Sequence, residues 1–462
     1  MARNVTGLPV ELLLDVLSHL DRTSLKQLRC TCRAFAELTS AELFETLQLF
    51  PDDESCKRFK SLMRGNTIQT HVRNIYFNTC TEDWDSDSDL DPDDEDSDGD
   101  DPSADNLKEQ MSSLGQFPHL DQVALRFESH FFTSDYDYLY RSPPQDVSFR
   151  EEILESFFSN LASSPARLHS LTIGSLQGDK IKNSKTTARL KRVLRGLRAL
   201  RLGIANVRIS PDVGYCCVGG PSMIPKLQSI WLRPTMSSLE HLTLYSDQYF
   251  GLHPKLDLSG IHFPRLKSLA LGRHAFCHDV QVDWIISHAQ TLRELYLDDC
   301  PILHSVISWE VGDMKTYHPA LLSEKWEIIE LDDYIGEYPL YTYHTRWHDY
   351  FTKFRTGLPL LEHFRIGKIW GELEDLSEEP DITIGLFKNR YMVFAGSAGY
   401  VTADDEDQDI TTGMGDMPSC HDEDKEALCA LFEKIGQRLT EEDRINEDLI
   451  EESCFTVDSS SS

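Results

Sequence analysis

The spacing of apolar residues predicts a helical segment at the start of the chain. Leucines and valines recur there at i, i+1, i+4, i+5 and i+8, which is typical of one face of an amphipathic helix; they are Leu12, Leu13, Val16, Leu17 and Leu20. Pro9 and Glu11 suit the first turn, because proline lacks the amide hydrogen that the first turn leaves unpaired and a carboxylate is favourable near the helix N-terminus. The pattern therefore predicts a helix from Leu8 to Leu20 with a single apolar face.

Two further short helices are predicted before residue 50. Asp21 and Thr23 interrupt the first helix and can cap a second one that carries Leu25 and Leu28. A third begins at about Arg33, and its inner face holds the apolar side chains Phe35 and Leu38, with Leu43 and Phe44 just beyond. Three short helices cannot bury all of these side chains among themselves. Part of this surface should therefore contact another chain or the rest of this one.

A second pattern, Leu-x-x-Leu-x-Leu, repeats through most of the remaining chain. This spacing leads from a loop into a strand whose alternate residues point inward, so it predicts strands separated by helices in an α/β repeat. Copies that begin at residues 168, 197 and 227 lie about 30 residues apart, a common repeat length. The nine copies are Val72/Ile75/Phe77, Leu120/Val123/Leu125, Leu168/Leu171/Ile173, Leu197/Leu200/Leu202, Leu227/Ile230/Leu232, Leu239/Leu242/Leu244, Leu266/Leu269/Leu271, Leu292/Leu295/Leu297 and Leu361/Phe364/Ile366.

The repeat is irregular, and two intervals depart from its length. The interval from Leu227 to Leu239 is too short for a full repeat, and the one from Leu292 to Leu361 must contain an insertion, 303–357. The segments 51–120 and 303–357 are expected to project as recognition elements. Helices are predicted at 151–162 and 346–355, the second with an aromatic stripe of the kind that packs in a core; the stripe is Trp347, Tyr350, Phe351 and Phe354.

Charge and composition narrow the function classes. The 462 residues contain 45 Lys and Arg against 77 Asp and Glu, a formal net charge of −32, so a nucleic-acid-binding role is not expected. No apolar run is long enough to span a membrane, and no export signal is evident, so the 11 cysteines are expected to be reduced and the protein intracellular, in the cytoplasm, the nucleus or both. The block 82–106 is expected to be a disordered acidic insertion.

The first fifty residues resemble an F-box. The resemblance rests on the runs Leu8-Pro9-Val10-Glu11-Leu12-Leu13, Val16-Leu17, Leu25-Lys26-Gln27-Leu28-Arg29 and Cys32-Arg33-Ala34-Phe35. It implies docking on the Skp-type adaptor of an SCF cullin–RING ubiquitin ligase. Carried over by position, Leu8 and Pro9 would contact the adaptor, and Leu12, Leu13 and Leu17 would contribute to the same apolar surface. The alternative is a helical cap that packs only on this chain's own repeats.

With its repeats, the whole chain resembles a fungal-type F-box protein with divergent leucine-rich repeats. We therefore expect an F-box at 1–50, an irregular leucine-rich-repeat-like solenoid at 51–400, and an acidic region with a short helix and disordered tail at 401–462. The expected function is non-catalytic recognition of a protein substrate of unknown identity for a ubiquitin ligase, through a Skp-type adaptor and its cullin. An interaction scaffold outside any ligase is the alternative.

Candidate catalytic and metal sites in the sequence are incomplete. Ser397 lies in a sequence that imitates a hydrolase nucleophile elbow, which would require a helix after Gly399. His344 and His348, with Asp349, lack the glutamate of a helical zinc motif. The residues from Asp94 onward match only the start of a calcium loop, since its twelfth position is Asp105. We therefore expect no cofactor, no metal site and no catalytic residue.

Overall fold

The computed structural model describes most of the chain in two compact units, Met1–Val218 and Gly219–Ser462. The described residues are 8–64, 68–80, 104–128, 131–132, 145–177, 181, 183–205, 207–210, 214–217, 223–308, 315, 317–331, 334–368, 380, 382–396, 399–401 and 417–438. Most of the acidic block, Ser397 and the C-terminal tail lie outside the described residues, so the expectations for their structure stay predictions.

The first unit begins with the three predicted helices. They are α1 (Val10–Ser18), α2 (Arg22–Arg29) and α3 (Arg33–Leu43). Asp21 caps α2 as predicted, since its carboxylate accepts a hydrogen bond from the backbone N–H of Ser24 at 2.8 Å. After α3 the chain forms a parallel sheet, and most strands of this sheet lie in copies of the repeat.

Five parallel strands of the first unit pair in the order β1, β2, β3, β6, β7, and helices connect several of them. The elements are β1 (Thr46–Leu49), α4 (Asp53–Met63), β2 (Asn74–Asn78), α5 (Ala104–Ser112), β3 (Gln122–Arg126), β4 (Phe131–Phe132), β5 (Gln145–Asp146), α6 (Val147–Ser163), β6 (Ser170–Gln177), α7 (Ser184–Leu194), β7 (Ala199–Ala205), β8 (Val207–Ser210) and β9 (Gly214–Cys217). Strands β5, β4, β8 and β9 pair in that order in a second, smaller sheet.

Two expectations for the first unit need correction. The segment 51–120 contributes strand β2 to the parallel sheet, so it does not project as a separate element. The acidic insertion does not extend to residue 106, because α5 begins at Ala104 and buries Leu107 completely. The buried side chain of Leu107 packs this helix against the core, and the preceding acidic residues offer no such apolar side chain.

The second unit contains four more parallel strands, paired in the order β10, β11, β12, β16. Its elements are α8 (Ile224–Leu227), β10 (His241–Phe250), β11 (Ser268–His274), α9 (Asp279–Ile286), β12 (Glu294–Asp298), β13 (Ile302–Ile307), β14 (Glu327–Leu331), β15 (Tyr334–Thr342), α10 (Trp347–Gly357), β16 (His363–Gly367), β17 (Tyr391–Ala395), β18 (Gly399–Val401) and α11 (His421–Ile435). Among the described residues no helix is both long enough and apolar enough to cross a bilayer.

Eight of the nine repeat copies contain a parallel strand of these sheets, and one does not. The copy Leu227/Ile230/Leu232 was predicted as a strand, but the chain is helical there, in α8 and a π-helical turn at Gln228–Leu232. Pro225 lies in the first turn, and the buried residues Ile224, Leu227 and Trp231 are spaced by three and four, which is a helical period. The i, i+3 spacing in this copy belongs to a helix.

The insertion 303–357 folds into a second sheet of the same unit. Its strands β13, β14 and β15 combine with β17 and β18 in the order β14, β15, β13, β17, β18. Helix α10 follows, and its aromatic stripe is buried, as predicted for core residues. The insertion is therefore an integral layer of the second unit.

One position of the repeat has an unusual backbone conformation. The residue two places after the last apolar position of three copies has a positive φ although it is not glycine: Ser175 (50°), Arg273 (59°) and Asp299 (46°). Left-handed backbone costs such residues about 1–2 kcal/mol, so its recurrence shows that the turn after the strand requires it. Cys300 follows Asp299, and its thiol lies 3.3 Å from the carbonyl oxygens of Leu271 and Asp298.

Candidate functional site

Helix α1 is apolar on more than the face it buries. Leu13 and Leu17 are 6% and 2% exposed, and Leu17 packs in a cluster with Leu25 and Leu43 from α2 and α3. Leu12 and Val16, one residue before each of them, are 52% and 55% exposed. The predicted apolar face is therefore only partly buried within the described residues. Only one stripe of α1 is buried.

The exposed apolar side chains flank this buried stripe. Leu12 and Val16 are four residues apart and lie on one side of it, while Val10 and Leu14 lie on the other. We call the exposed side chains of Leu8, Pro9, Val10, Leu12, Leu14 and Val16 the N-terminal apolar surface. Glu11 and Asp15 occupy the opposite, polar side of the helix.

Exposed apolar side chains are concentrated on this surface. Nine large apolar side chains are exposed among the described residues, and five of them lie between Leu8 and Val16. The other four, Val280, Leu322, Ile328 and Leu360, all lie in the second unit. An isolated exposed apolar residue needs no explanation, whereas a contiguous group is typical of a binding surface.

Local interactions hold α1 and α2 in place. Two hydrogen bonds from Ser24, through its backbone N–H and its hydroxyl, lower the pKa of the Asp21 carboxyl. On α1, the His19 ring nitrogen Nδ1 contacts the Asp15 carbonyl oxygen at 2.7 Å. The Arg29 guanidinium lies 4.8 Å from the centre of the Phe44 ring, a cation–π contact between α2 and the residue that follows α3. These contacts position α1 without covering its exposed apolar residues.

The structure separates the five predicted adaptor-contact residues into two groups. Leu8, Pro9 and Leu12 are exposed on the N-terminal apolar surface. Leu13 and Leu17 point into the chain. The alternative of a helical cap requires Leu8 and Pro9 to be buried against this chain, and no described residue buries them.

A second cluster of polar side chains joins α10 to α11. Donor atoms of His348, Cys420 and Asp424 lie within 4.8 Å of one another, so these residues have the chemistry of a metal-ligand set. The sequence prediction paired His348 with His344 and Asp349. Asp424, 76 residues further along the chain, was missed because only the fold brings it to His348.

The contacts of Asp424 fit an ion pair better than a metal site. Its fully buried carboxylate accepts hydrogen bonds from the His348 backbone N–H at 3.0 Å, Arg390 Nε at 3.0 Å and the Tyr391 hydroxyl at 2.9 and 3.0 Å. Burial and the neighbouring carboxylate raise the pKa of Tyr391, which therefore stays a hydroxyl donor. Burial likewise raises the pKa of the Cys420 thiol, which disfavours the thiolate that a metal needs. The cluster is a structural junction between the two helices.

The nucleophile-elbow pattern lacks the structural context of a hydrolase. Ser397 itself lies outside the described residues. The chain resumes at β18, which pairs antiparallel with β17, so a strand follows Gly399 where a hydrolase would have a helix.

Comparison with known proteins identifies the helical region. Residues 5–48 match the family model described as F-box-like. A 137-residue segment is 29% identical to an F-box/LRR-repeat protein of Arabidopsis thaliana and covers 29% of this chain and 34% of that relative. The match thus spans about a third of the relative's length. The chain has an F-box-like region at its N-terminus, followed by an α/β region with parallel strands.

Proposed function

We propose that this chain is the substrate-recognition subunit of an SCF-type cullin–RING ubiquitin ligase, and that its N-terminal apolar surface binds a Skp-type adaptor. The observation that carries the proposal is the concentration of exposed apolar side chains on α1, inside the F-box-like match. Exposing these apolar side chains to water is unfavourable, and a bound partner would remove that unfavourable contact. The adaptor would connect the chain to a cullin in the cytoplasm or nucleus.

Individual residues have different roles in this proposal. Leu8, Pro9 and Leu12 contact the adaptor directly, together with Val16 on the same side of the buried stripe. Leu13 and Leu17 act from inside, because their packing fixes the orientation of α1. A substitution at Leu13 or Leu17 would change folding as well as binding, so these positions are unsuitable for testing the interface.

The repeats supply the target-binding part of the proposal. In each unit the Leu-x-x-Leu-x-Leu copies place parallel strands side by side, as in divergent leucine-rich repeats, and a solenoid of such repeats offers an extended surface to a protein partner. The chain itself performs no chemistry. Its contribution is to hold target lysines near the ubiquitin-charged enzyme, which raises their effective concentration.

Co-purification with the adaptor tests the proposal. The full chain should capture a Skp-type adaptor in near-stoichiometric amounts. The double variant Leu12→Glu/Val16→Glu should lose this binding by at least about 100-fold, because it brings two carboxylates into an apolar interface. Leu8→Ala/Pro9→Ala, which removes contact without adding charge, should weaken binding less.

The control is Ile328→Glu, which adds the same charge at a position that is 60% exposed outside the helical region. It should bind like the unmodified chain. If the folded, monodisperse unmodified chain captures no adaptor, the ligase proposal is wrong, and the repeats would belong to an interaction scaffold. Equal loss in Ile328→Glu and Leu12→Glu/Val16→Glu would also contradict it, since charge alone would then be responsible.

A further inference from the structure

One region of this acidic chain is strongly basic. Residues 180–211 contain ten Lys and Arg and no Asp or Glu, although the formal net charge of the whole chain is −32. Helix α7 and the residue that follows it carry half of these basic side chains. A patch of one sign of charge attracts groups of the opposite sign. The surface of α7 is therefore a candidate binding surface for an acidic segment.

The basic side chains of α7 lie on the side of the helix that faces solvent. The buried side consists of residues spaced by four, Thr186, Leu190 and Leu194. Lys185 and Arg192 are exposed two turns apart on the opposite side, and the exposed Arg195 follows directly after the helix. Lys191, beside Arg192, is partly exposed. We call these four side chains the α7 basic surface: Lys185, Lys191, Arg192 and Arg195.

No carboxylate among the described residues neutralises the α7 basic surface. None of its four side chains forms an ion pair or a hydrogen bond with a described residue. On α4 of the same unit, by contrast, Lys57, Arg58 and Lys60 lie 3.8, 3.2 and 2.9 Å from a carboxylate oxygen. Arg189, also on α7, lies 3.9 Å from Glu155 and is therefore not counted in the surface.

The stability of α7 does not explain the basic surface. Lys191 and Arg195 are four residues apart, a spacing at which like charges on a helix repel each other. Positive charge is favourable in the last turn, where Lys191 and Arg192 lie, but unfavourable in the first turn, where Lys185 lies. A bound anionic segment would remove this repulsion.

The same chain contains a segment of the opposite charge. Residues 82–101 include 13 Asp and Glu among 20 residues and no Lys or Arg. They lie outside the described residues, between β2 and α5, which belong to the same unit as α7. A tethered segment has an effective concentration in the millimolar range, so it has an advantage over a free partner.

The fold places the acidic segment within reach of the basic surface. Helix α5 packs against α6, and α6 against α7. All three connect successive strands of one parallel sheet, so their N-termini lie at the same edge, with α5 and α7 about 20 Å apart. Helix α7 is about 16 Å long, so its far end lies about 26 Å from Ala104, where α5 begins. The chain from Asp93 to Ala104 spans about 36 Å when extended.

We propose that the acidic segment 82–101 binds the α7 basic surface. Each exposed ion pair contributes little by itself, but several pairs on one tethered segment act together. An acidic partner protein that uses the same surface would have to displace the segment. The contact is independent of the proposed adaptor binding, because it involves none of the N-terminal apolar surface.

Zero-length cross-linking of the unmodified full chain tests the proposal. A water-soluble carbodiimide joins a carboxylate to a lysine amine only where the two are in contact, and mass spectrometry identifies the joined residues. We expect links from segment 82–101 to Lys185 and Lys191, and at least about fivefold fewer to Lys26, an exposed lysine of α2. Raising the salt from about 0.02 M to about 0.5 M shortens the Debye length to about 4 Å, so the links to α7 should fall at least about fivefold.

A variant and a matched control locate the contact. Arg192→Glu/Arg195→Glu keeps the two lysines of α7 as reporters and should lower their links to segment 82–101 by at least about fivefold. Arg22→Glu/Lys26→Glu makes the same change in net charge at exposed positions of α2. Helix α2 precedes β1, at the opposite end of the strand order from β7, which follows α7. This control should keep the links to α7.

A mixture of isotope-labelled and unlabelled chain separates links within one chain from links between two copies. Links that join labelled to unlabelled chains in statistical amounts would overturn the proposal in favour of a contact between copies. No excess of links to α7 over Lys26, or equal yields at low and high salt, would refute it on the unmodified chain, even if a variant fails to fold. Equal loss of links in both double variants would also contradict it.

Discussion

At the scale of single residues, the aromatic ring of Tyr245 occupies the space that a side chain at Gly272 would need. The two residues are paired across β10 and β11. A Cβ atom at Gly272 would lie 2.1 Å from the tyrosine ring, far inside van der Waals contact. Tyr245 belongs to a buried cluster with Ala270, Tyr296 and Ile382, so its ring has little room to move. The glycine is required by packing across the strands.

The substitution Gly272→Ala should therefore destabilise the protein by about 2–3 kcal/mol, as expected for overpacking a core. Gly174 is the matched control because it occupies the same repeat position, one residue after the last apolar one. A Cβ there would lie 3.5 Å from the nearest atom, an ordinary contact with Arg126. Gly174→Ala should change the free energy of unfolding by less than about 1 kcal/mol. Urea unfolding of both variants checks this, and equal midpoints would contradict the packing argument.

Single residues also show what the sequence pattern predicts and what it does not. The repeat correctly predicts that positions such as Leu269, Leu271 and Leu295 are buried. It does not predict the conflict at Gly272, because that depends on which residue of a neighbouring strand lies opposite. In α1 the pattern identified the apolar residues but not which of them are buried. Which side of α1 is buried is determined by contacts with Leu25 of α2 and Leu43 of α3.

At the scale of elements, helix α11 is fixed by a buried ion pair at its first turn. Asp424 is fully buried and Arg390, which precedes β17, has a side chain only 10% exposed. Their separation is 3.0 Å, and the Tyr391 hydroxyl and His348 add further hydrogen bonds. When one partner of such a pair is removed, the other remains as an uncompensated buried charge.

The variant Asp424→Asn should accordingly cost about 3–5 kcal/mol of stability and loosen α11. Asp422→Asn is the control, since Asp422 lies in the same first turn but is exposed. Both changes remove one charge from the helix N-terminus, so the difference between them isolates the buried contact. Hydrogen exchange over 421–435 provides the measurement. Equally protected amides in the two variants would show that the ion pair does not hold the helix.

The element scale also shows why one repeat copy was misassigned. A Leu-x-x-Leu-x-Leu spacing contains an i, i+3 pair, which suits a helix as well as the entry to a strand. At 227–232 the fold takes the helical alternative, in which Trp231 is buried and Ile230 is only partly buried. The short interval from Leu227 to Leu239 already argued against a strand in this copy. Parallel strands at both copies would leave no room for the segment that connects them.

At the scale of the whole molecule, the buried histidines whose pKa is clearly lowered all lie in the second unit, as far as the described residues go. Burial lowers the pKa of His274 to about 3 and those of His288, His304 and His318 to about 4. In His288, Nε2 accepts the backbone N–H of Phe263 at 3.1 Å, while Nδ1 lies 3.0 Å from the Trp284 carbonyl. Both contacts are satisfied by a neutral ring, and protonation would break the first. The composition alone gave 17 histidines without showing which are desolvated.

These histidines make the stability of the second unit depend on pH in a definite direction. In the unfolded chain their pKa is about 6.5. Below that pH the histidines are therefore protonated in the unfolded state but still neutral in the folded state. The free energy of unfolding should therefore fall as the pH is lowered from about 7 to 5, by up to about 1.4 kcal/mol per pH unit for each histidine. Above pH 7 this contribution to the pH dependence disappears.

Urea unfolding of the full chain between pH 7 and pH 5 measures this dependence, and the substitution His304→Leu removes one of the four groups. In this variant the free energy of unfolding should depend less steeply on pH, by the contribution of one histidine. Leucine fills the buried space with an apolar side chain and cannot take up a proton. His119→Leu, at an exposed position of the first unit, is the control and should retain the slope of the unmodified chain. Identical slopes in His304→Leu and the unmodified chain would mean that the acid sensitivity comes from groups other than the buried histidines.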